Sequence, residues 1–204
     1  GQVSVPAALA WLVVQSLVAF CILLTFNLNA ILLGILSLGT VAIYPFAKRF
    51  TWWPQVFLGL AFNWGALLAW TARDGALGWP AVLLYGAGIA WTLFYDTIYA
   101  YQDAEDDALI GVKSTARLFG DRPLPWLIAF TGACFVLMAA AIIVALTGIA
   151  QVIALLAPLA AAGHMTWQLL RFDPADTQMC LHLFRSNRDT GLLVGLFLAA
   201  AALV

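Results

Sequence analysis

Residues 123–147 read PLPWLIAFTGACFVLMAAAIIVALT, a run of 25 residues without a single charged side chain. A helix needs about 20 mainly apolar residues to cross the hydrocarbon core of a bilayer. Further runs of this kind occupy six other stretches: 6–26, 29–47, 55–72, 80–101, 150–170 and 190–204. The pattern therefore predicts an all-α membrane protein with about seven transmembrane helices.

The composition of the whole chain agrees with a membrane protein. Of the 204 residues, 64% are hydrophobic and 9% are charged, whereas an average soluble protein has about 25% charged residues. The net charge of −1 comes without a basic patch, which argues against nucleic acid as a partner. The cysteines at 21, 134 and 180 stand far apart and indicate neither a disulfide framework nor a CxxC metal site. The lipid bilayer is the predicted surrounding of the chain.

Charged side chains gather on one side of the predicted bundle. Eight of the nine Lys and Arg residues lie in the connections 48–54, 102–122 and 171–189, and only Arg73 lies on the other side. By the positive-inside rule, the side with the longer connections is cytoplasmic, or matrix-facing in an organelle. Nine of the ten acidic residues share that side. The rule does not require this, so the carboxylates call for a separate explanation.

The densest group of carboxylates follows the fourth apolar run, in residues 95–107, YDTIYAYQDAEDD. If the helix continues through this segment at about 100° per residue, Asp96, Asp103 and Asp107 fall within about 20° of one another, with Tyr99 beside them. Like charges one turn apart destabilise a helix, and carboxylates near its C-terminus oppose its dipole, so the stripe favours a bound cation. Mg²⁺ suits it, because this ion takes one or two carboxylates together with water and phosphate oxygens. The alternative interpretation is a solvated acidic loop.

Basic groups lie on the same side of the membrane as these carboxylates. Tyr44 and Lys48 end the second apolar run one helical turn apart and face the same way, so together they can hold an anionic group. Lys113 follows shortly after the carboxylates and offers another cation. Carboxylates for a metal beside cations for a phosphate are the chemistry of diphosphate binding. The alternative is a snorkelling lysine with an interfacial tyrosine.

Other polar residues occur within or beside the apolar runs. Asn63 puts an amide near mid-membrane, where polar side chains are often functional, although a hydrogen bond to a neighbouring helix explains it equally well. His164 has no second metal ligand at i+3 or i+4, which indicates a packing or capping role. We expect His182, Arg185 and Arg188 to be interfacial rather than catalytic.

Segment 95–120, YDTIYAYQDAEDDALIGVKSTARLFG, closely resembles the second aspartate-rich motif of the UbiA superfamily of intramembrane prenyltransferases. Two other segments are typical of that family, 44–50, YPFAKRF, and 58–65, LGLAFNWG. The resemblance covers essentially the whole chain and implies a UbiA-type bundle of transmembrane helices. It also implies an integral protein of the bacterial inner membrane, or of the mitochondrial inner membrane in a eukaryote.

The resemblance assigns chemical roles to the acidic and basic residues. It implies that Asp103 and Asp107 bind Mg²⁺ and the isoprenyl diphosphate. Tyr44 and Lys48 are similar to the family residues that act at the diphosphate and at the nascent carbocation, so these four residues are the expected catalytic set. We expect a further group of residues to contribute to substrate binding: Asn63, Asp96, Tyr99 and Lys113.

The implied reaction is the Mg²⁺-dependent transfer of a polyprenyl group from polyprenyl diphosphate to 4-hydroxybenzoate in ubiquinone biosynthesis. One alternative is a family member that acts on another aromatic or lipid acceptor, such as homogentisate, a naphthoate or a lipid glycerol. A different class of alternative is a non-enzymatic channel or carrier with an acidic mouth.

Part of the family pattern is absent from the chain. Family members have nine helices and carry a first motif of the type NDxxDxxxD on the second helix, and no such motif occurs in residues 1–204. The opening GQVS resembles a phrase that follows that helix in the family. We therefore expect residues 1–204 to form a single transmembrane prenyltransferase domain that is N-terminally incomplete and resembles helices three to nine. The missing part would carry half the metal site and the arginine expected near the aromatic carboxylate, so we expect no catalysis from the chain alone.

Overall fold

The structure is a computed structural model that describes residues 3–204, so Gly1 and Gln2 of the GQVS segment lie outside the described residues. Within 3–204 the regular structure is helical throughout. A short 3₁₀ helix, Tyr44–Phe46, separates the second and third α-helices. The α-helices are α1 Val5–Leu23, α2 Leu28–Ile43, α3 Ala47–Phe50, α4 Pro54–Phe62, α5 Gly65–Asp74, α6 Trp79–Ala100, α7 Ala104–Leu109, α8 Thr115–Phe119, α9 Leu124–Ala145, α10 Gly148–Ala154, α11 Leu156–Arg171 and α12 Thr177–Ala201.

Six helical segments of residues 3–204 are long and apolar enough to cross a membrane. They are Val5–Leu23, Leu28–Phe50, Pro54–Asp74, Trp79–Ala100, Leu124–Ala145 and Gly148–Arg171. With the long helix α12 they make up the predicted set of about seven. The prediction of an all-α membrane protein is confirmed by this architecture.

Helix α12 differs from the predicted seventh span. It begins at Thr177, where the side chain of Asp176 caps it by accepting a hydrogen bond of 2.9 Å from the Met179 N–H. The predicted connection 171–189 is therefore shorter than expected, because its residues from Thr177 onward belong to the helix. The charged side chains at 185, 188 and 189 interrupt the apolar pattern of the sequence. They do not interrupt the helix, because charged residues are compatible with helical backbone.

Helix α6 occupies the centre of the bundle. It packs against α4, α5, α9 and α12, while α11 bridges α9 and α12. Small side chains allow close packing, since Ala87 and Ala90 of α6 are buried and a Cβ added to Gly59 of α4 would lie 3.2 Å from the Cα of Ile89. Close approach of this kind drives helix association in lipid, where burial of apolar surface supplies little. Helix α1 lies at the edge of the bundle against α2, and none of its residues is buried.

The two ends of the bundle differ in their connections. At one end the Asn27 side chain caps α2 and donates to the Thr71 carbonyl over 2.8 Å, which closes a short turn. At the other end the Lys113 N–H donates to the Lys48 carbonyl over 2.9 Å, and the Gln102 amide donates to the Thr177 carbonyl over 3.4 Å. These bonds bring the three long, charged connections together at a single end of the bundle.

Candidate active site

The acidic segment does not continue helix α6. The helix ends at Ala100, residues 101–103 form a turn, and Asp103 stands at the N-cap position of α7. The predicted single stripe through Asp96, Asp103 and Asp107 was therefore wrong, because Asp96 belongs to a separate helix. The break has an electrostatic reason. It moves the acids from the C-terminus of α6, where they oppose the helix dipole, to the first turn of α7, where they favour it.

Asp103 and Asp107 remain one helical turn apart on α7. The Asp107 N–H donates to the Asp103 carbonyl over 2.7 Å. The turn before α7 is held by Tyr101, whose hydroxyl donates to the Gly120 carbonyl over 2.7 Å. Burial, helped by the nearby Asp121 carboxylate, raises the pKa of the Tyr101 phenol, so the hydroxyl remains a donor throughout the physiological range. Helix α7 is thus fixed against the end of the bundle.

The carboxylate of Asp107 is the most deeply placed charge of this segment. Asp107 is 5% exposed, and its two oxygens accept hydrogen bonds from the Lys48 ammonium at 3.1 and 3.3 Å. The Lys48 side chain is 46% exposed, so only one partner of the ion pair is buried. The pair joins the end of the second span to the acidic helix α7.

The segment after α7 docks onto the bundle through side-chain and backbone bonds. The hydroxyls of Thr97 and Thr115 are hydrogen-bonded at 2.7 Å, and both residues are buried. Ser114 caps α8, and the left-handed conformation of Gly111, with φ of 75°, supplies the turn before it. The Arg117 guanidinium donates to the carbonyls of Val112 and Asp107. The IGVKSTA stretch therefore supports the acidic helix rather than forming a free loop.

A cavity of about 140 Å³, here called cavity A, brings several predicted site residues together. It is lined by Tyr44, Pro45, Lys48, Pro54, Gln55 and Asp96. Tyr44 and Lys48 therefore line the same cavity, as their spacing led us to expect, and Asp96 of α6 faces them. The Lys48 ammonium connects this cavity to Asp107 through the ion pair described above.

A second and larger cavity, of about 370 Å³, lies between α4, α6 and α12 and is here called cavity B. It is lined by Phe62, Asn63, Trp91, Thr92, Tyr95, Phe184, Arg185, Asn187 and Arg188. The Asn63 amide donates to the Gly59 carbonyl and to the Thr92 hydroxyl, both over 2.9 Å. The interhelical hydrogen bond anticipated for Asn63 is therefore present, and the same residue also lines a cavity.

Two predicted substrate-binding residues line neither cavity A nor cavity B. The Tyr99 ring packs against the Phe184 ring of α12 with centroids 4.5 Å apart. The Lys113 ammonium donates to the Phe50 carbonyl over 3.4 Å and lies 5.8 Å from the Trp52 ring centroid. Both residues lie close to the site without bordering its cavities.

Comparison with known proteins identifies the family. Residues 1–203 match the UbiA prenyltransferase family. The chain belongs to this family. The UbiA assignment made from the aspartate-rich motif is therefore confirmed, and so is the nature of the bundle.

Named relatives of this UbiA chain cover almost all of it. It is 44% identical over 197 residues to "4-hydroxybenzoate polyprenyltransferase, mitochondrial" of Mus musculus, which is 95% of this chain and 51% of the mouse protein. It is 46% identical over 187 residues to the protein of the same name from Arabidopsis thaliana, which is 91% of this chain and 45% of the plant protein. The chain thus spans about half the length of the curated relatives it matches.

A solved structure supports the UbiA fold. The apo structure of a UbiA homolog from Aeropyrum pernix K1 superimposes with a TM-score of 0.74 at 22% sequence identity. The match covers 98% of this chain and 74% of the archaeal chain. At this identity the likeness establishes the fold of the helical bundle.

The donor set of this UbiA chain fits a metal that is shared with a phosphate ligand. Within residues 3–204 no group of three or more His, Cys, Asp or Glu side chains is arranged to hold a metal by itself. Mg²⁺ is usually bound by one or two carboxylates and completes its shell with water and substrate phosphates. Asp103 and Asp107, one turn apart beside the Lys48 cation, are a donor set of that kind. Their assignment as metal ligands stays a prediction.

Arg185 and Arg188 border cavity B, and both side chains are exposed. The expectation that they are interfacial stays a prediction. Their spacing of i and i+3 puts them on one helix face, and that spacing was the available signal that they border the same cavity. His164 has a structural role of the kind predicted, since its Nδ1 lies 2.8 Å from the Thr190 hydroxyl.

Proposed function

We propose that this chain contributes the diphosphate-binding part of the active site of a Mg²⁺-dependent 4-hydroxybenzoate polyprenyltransferase of ubiquinone biosynthesis. One observation carries the proposal: Lys48 lines cavity A with Tyr44 and Asp96 and at the same time pairs with Asp107. The names of the mouse and plant relatives support 4-hydroxybenzoate as the acceptor and a polyprenyl diphosphate as the donor.

The cation of Lys48 acts on the leaving diphosphate. Its side chain is half exposed and borders cavity A, so it can turn from Asp107 towards a phosphate oxygen and form a charge-assisted hydrogen bond. Such a bond strengthens as negative charge develops on the leaving group, and it therefore stabilises the transition state more than the bound substrate. Asp103 and Asp107 would hold Mg²⁺, which would supply further neutralisation of the diphosphate charge when bound.

Tyr44 and the apolar walls of cavity A act on the allylic group of the polyprenyl donor. When the bond between the allylic carbon and the diphosphate oxygen breaks, a delocalised cation remains, and the face of the Tyr44 ring attracts positive charge. The ring carbon ortho to the acceptor hydroxyl then forms the new carbon–carbon bond, and the proton on that carbon is lost. Pro45 and Pro54 line cavity A beside Tyr44. They help to exclude water, which favours alkylation over hydrolysis.

The direct test is product formation. Membranes that contain the full-length protein receive Mg²⁺, a polyprenyl diphosphate and 4-hydroxybenzoate, and prenylated product is measured by mass spectrometry. Parallel reactions contain homogentisate or a naphthoate instead. We expect product with 4-hydroxybenzoate at a rate at least tenfold above the other acceptors. Equal or higher rates with another acceptor would assign the chain to a different branch of the family.

A second measurement separates an enzyme from a channel or carrier. In the purified protein, Mg²⁺ with a polyprenyl diphosphate should raise the unfolding temperature, because a ligand that binds only the folded state stabilises it. The expected increase requires both components together. Ion flux in proteoliposomes without any diphosphate-dependent stabilisation would instead support the channel.

A further inference from the structure

A third cavity, of about 380 Å³, lies between α11 and α12 and is here called cavity C. Its walls include His164 and Trp167 of α11 together with His182, Arg185, Arg188 and Asp189 of α12. Among the described residues, no aliphatic side chain lines it. The proposed reaction does not use cavity C. Polar walls of this kind favour a charged ligand over a hydrocarbon chain.

Cavity C lies at the charged end of the bundle. The span Gly148–Arg171 ends at Arg171, and Trp167 is one turn before that end, or about 6 Å along the helix axis. The centroids of the Trp167 and His182 rings are 6.5 Å apart, and His182 is five residues after the start of α12 at Thr177. Cavity C is therefore at the depth where interfacial tryptophans meet lipid headgroups.

Cationic groups predominate in the walls of cavity C. Asp189 is the one carboxylate that the described residues contribute to these walls. It pairs with Arg188 at 3.0 Å, and both side chains are exposed, so the pair is weak. Arg185 forms no ion pair with any of residues 3–204. Exposed guanidinium groups need no buried counter-ion, but they attract an anion that belongs to the membrane surface.

The surroundings of Trp167 disfavour a headgroup that carries an ammonium. The Arg171 guanidinium lies 4.7 Å from the Trp167 ring centroid, and the His164 ring stacks on Trp167 with centroids 5.0 Å apart. An aromatic ring otherwise attracts choline or ethanolamine, but here such a group meets the like charge of Arg171. Cavity C therefore favours a headgroup with a net negative charge over a zwitterionic one.

The face of α12 that carries the arginines continues into the membrane as apolar surface. Leu192 follows Arg188 by four residues and Leu196 follows it by eight, so the three side chains share one side of the helix. Both leucines are exposed. Cations near the end of the bundle, followed by apolar surface, match the order of phosphate and acyl chains in a phospholipid. A free phosphate ion would use the cations alone.

We propose that cavity C binds the headgroup of an anionic phospholipid. Its phosphate accepts hydrogen bonds from Arg185 and Arg188, and its acyl chains lie along Leu192 and Leu196. Guanidinium groups bind phosphate through paired hydrogen bonds, and Arg188 keeps free N–H donors beside its bonds to Asp189 because a guanidinium has five. Basic pockets between transmembrane helices are known binding places for anionic lipids. The site is separate from the proposed function and does not depend on it.

Lipid binding to the full-length protein tests the site. The purified protein is stripped of lipid and titrated with phosphatidylglycerol or phosphatidylcholine in one detergent, and native mass spectrometry measures the bound lipid. The wild type should bind phosphatidylglycerol at least tenfold more tightly. R185Q and R188Q should each weaken this binding about fivefold, the effect of one basic residue at an anionic lipid. Binding of phosphatidylcholine should change by less than twofold.

Two further variants serve as controls. Arg122 is exposed at the same end of the bundle and lies outside the walls of cavity C, so R122Q should change phosphatidylglycerol binding by less than twofold. A loss in R122Q as large as in R185Q would indicate general electrostatics and overturn the site. D189N removes the carboxylate from cavity C and should strengthen binding by up to about fivefold. If the arginine variants fail to fold, unchanged or weaker binding in D189N would overturn the site.

Competition identifies the source of the phosphate. Millimolar inorganic phosphate should leave phosphatidylglycerol bound, because it has no acyl chains to contact Leu192 and Leu196. Displacement would overturn the lipid assignment in favour of a soluble phosphate. A polyprenyl diphosphate should also leave the lipid bound, and displacement would assign cavity C to the prenyl donor instead. Unchanged phosphatidylglycerol affinity in both R185Q and R188Q would overturn the site whatever the competitor does.

Discussion

Lys48 and Asp107 are 59 residues apart in sequence, yet the Lys48 ammonium lies 3.1 Å from one carboxylate oxygen of Asp107 and 3.3 Å from the other. The two side chains differ in their freedom to move, because Asp107 is buried and Lys48 is half exposed. Asp107 is held by helix α7, whereas the Lys48 ammonium lies at the end of a flexible four-carbon side chain beside cavity A. The pair therefore keeps the carboxylate in position while leaving the cation able to move towards a ligand.

Removal of this cation should destabilise the protein. In K48M the buried Asp107 carboxylate loses its partner, which costs about 1–3 kcal/mol. This is less than the loss of a fully buried partner because Lys48 is half exposed. K113M is the control, since Lys113 donates only to a carbonyl at 3.4 Å. The free energy of unfolding in mixed SDS micelles measures both variants. Equal stability of the two would contradict a structural role for the Lys48 pair.

Asparagine substitutions on helix α7 should distinguish catalytic carboxylates from solvent-facing ones. In the full-length protein, D103N and D107N should each lower turnover by orders of magnitude while leaving expression intact, because metal and diphosphate binding need the charged form. D106N is the matched control. Asp106 is exposed and lines a different cavity, with Glu105 and Arg117. Prenylation assays on the three variants test this prediction. Near-normal rates in D103N and D107N would exclude the assignment of these residues as metal ligands.

The sequence was sufficient to predict the number and nature of the spans, because apolar length along the chain determines whether a helix can cross a bilayer. It failed at the start of α12. There Arg185 and Arg188 interrupt the apolar pattern, but Asp176 caps a continuous helix. Hydropathy cannot separate a charged loop from a helix with an exposed charged face.

The site was predictable in part for a similar reason. The spacing of Tyr44 and Lys48 was enough to expect these two residues together, and they line one cavity, in which Asp96 joins them. The angular argument for Asp96 and Asp103 assumed an unbroken helix, and the turn at 101–103 removed its basis. The Tyr101 hydroxyl in that turn donates to the Gly120 carbonyl, which is a tertiary contact that no local pattern reveals.

Cysteine labelling can test the orientation of the bundle. Cys21 is exposed and must first be replaced by serine, whereas Cys134 and Cys180 are buried. Single cysteines at Ala108 and Ala76, both exposed and at opposite ends of the bundle, should then react with an impermeant maleimide from opposite sides. We expect Ala108 on the cytoplasmic or matrix side, because most Lys and Arg residues share its end. Labelling of both positions from one side would refute the predicted topology.

Two neighbouring glycines of α6 should respond differently to alanine. A Cβ on Gly88 would overlap the Asn63 amide oxygen, whereas a Cβ on Gly86 would lie 3.2 Å from the movable end of the Leu137 side chain. G88A should therefore displace Asn63 from Thr92 and lower stability by about 1–3 kcal/mol. G86A should change it by less than about 1 kcal/mol, since alanine also favours the helix. SDS unfolding of the two variants provides the comparison, and equal effects would argue against close packing at Asn63.

The hydrogen bonds between Gln168 and Asn187 should make the two residues energetically coupled. Each amide donates to the other, at 3.0 and 3.3 Å, and Gln168 is completely buried. Interhelical hydrogen bonds in membranes contribute about 0.6 kcal/mol on average and up to about 1.7 kcal/mol, and two such bonds should reach the upper part of that range. A double-mutant cycle with Q168L and N187L, measured by SDS unfolding, isolates the coupling. T166V is the control, because the Thr166 hydroxyl bonds only within its own helix, at 2.7 Å to Ala162. A coupling energy near zero would mean that the amide pair does not fix the position of α12 against α11.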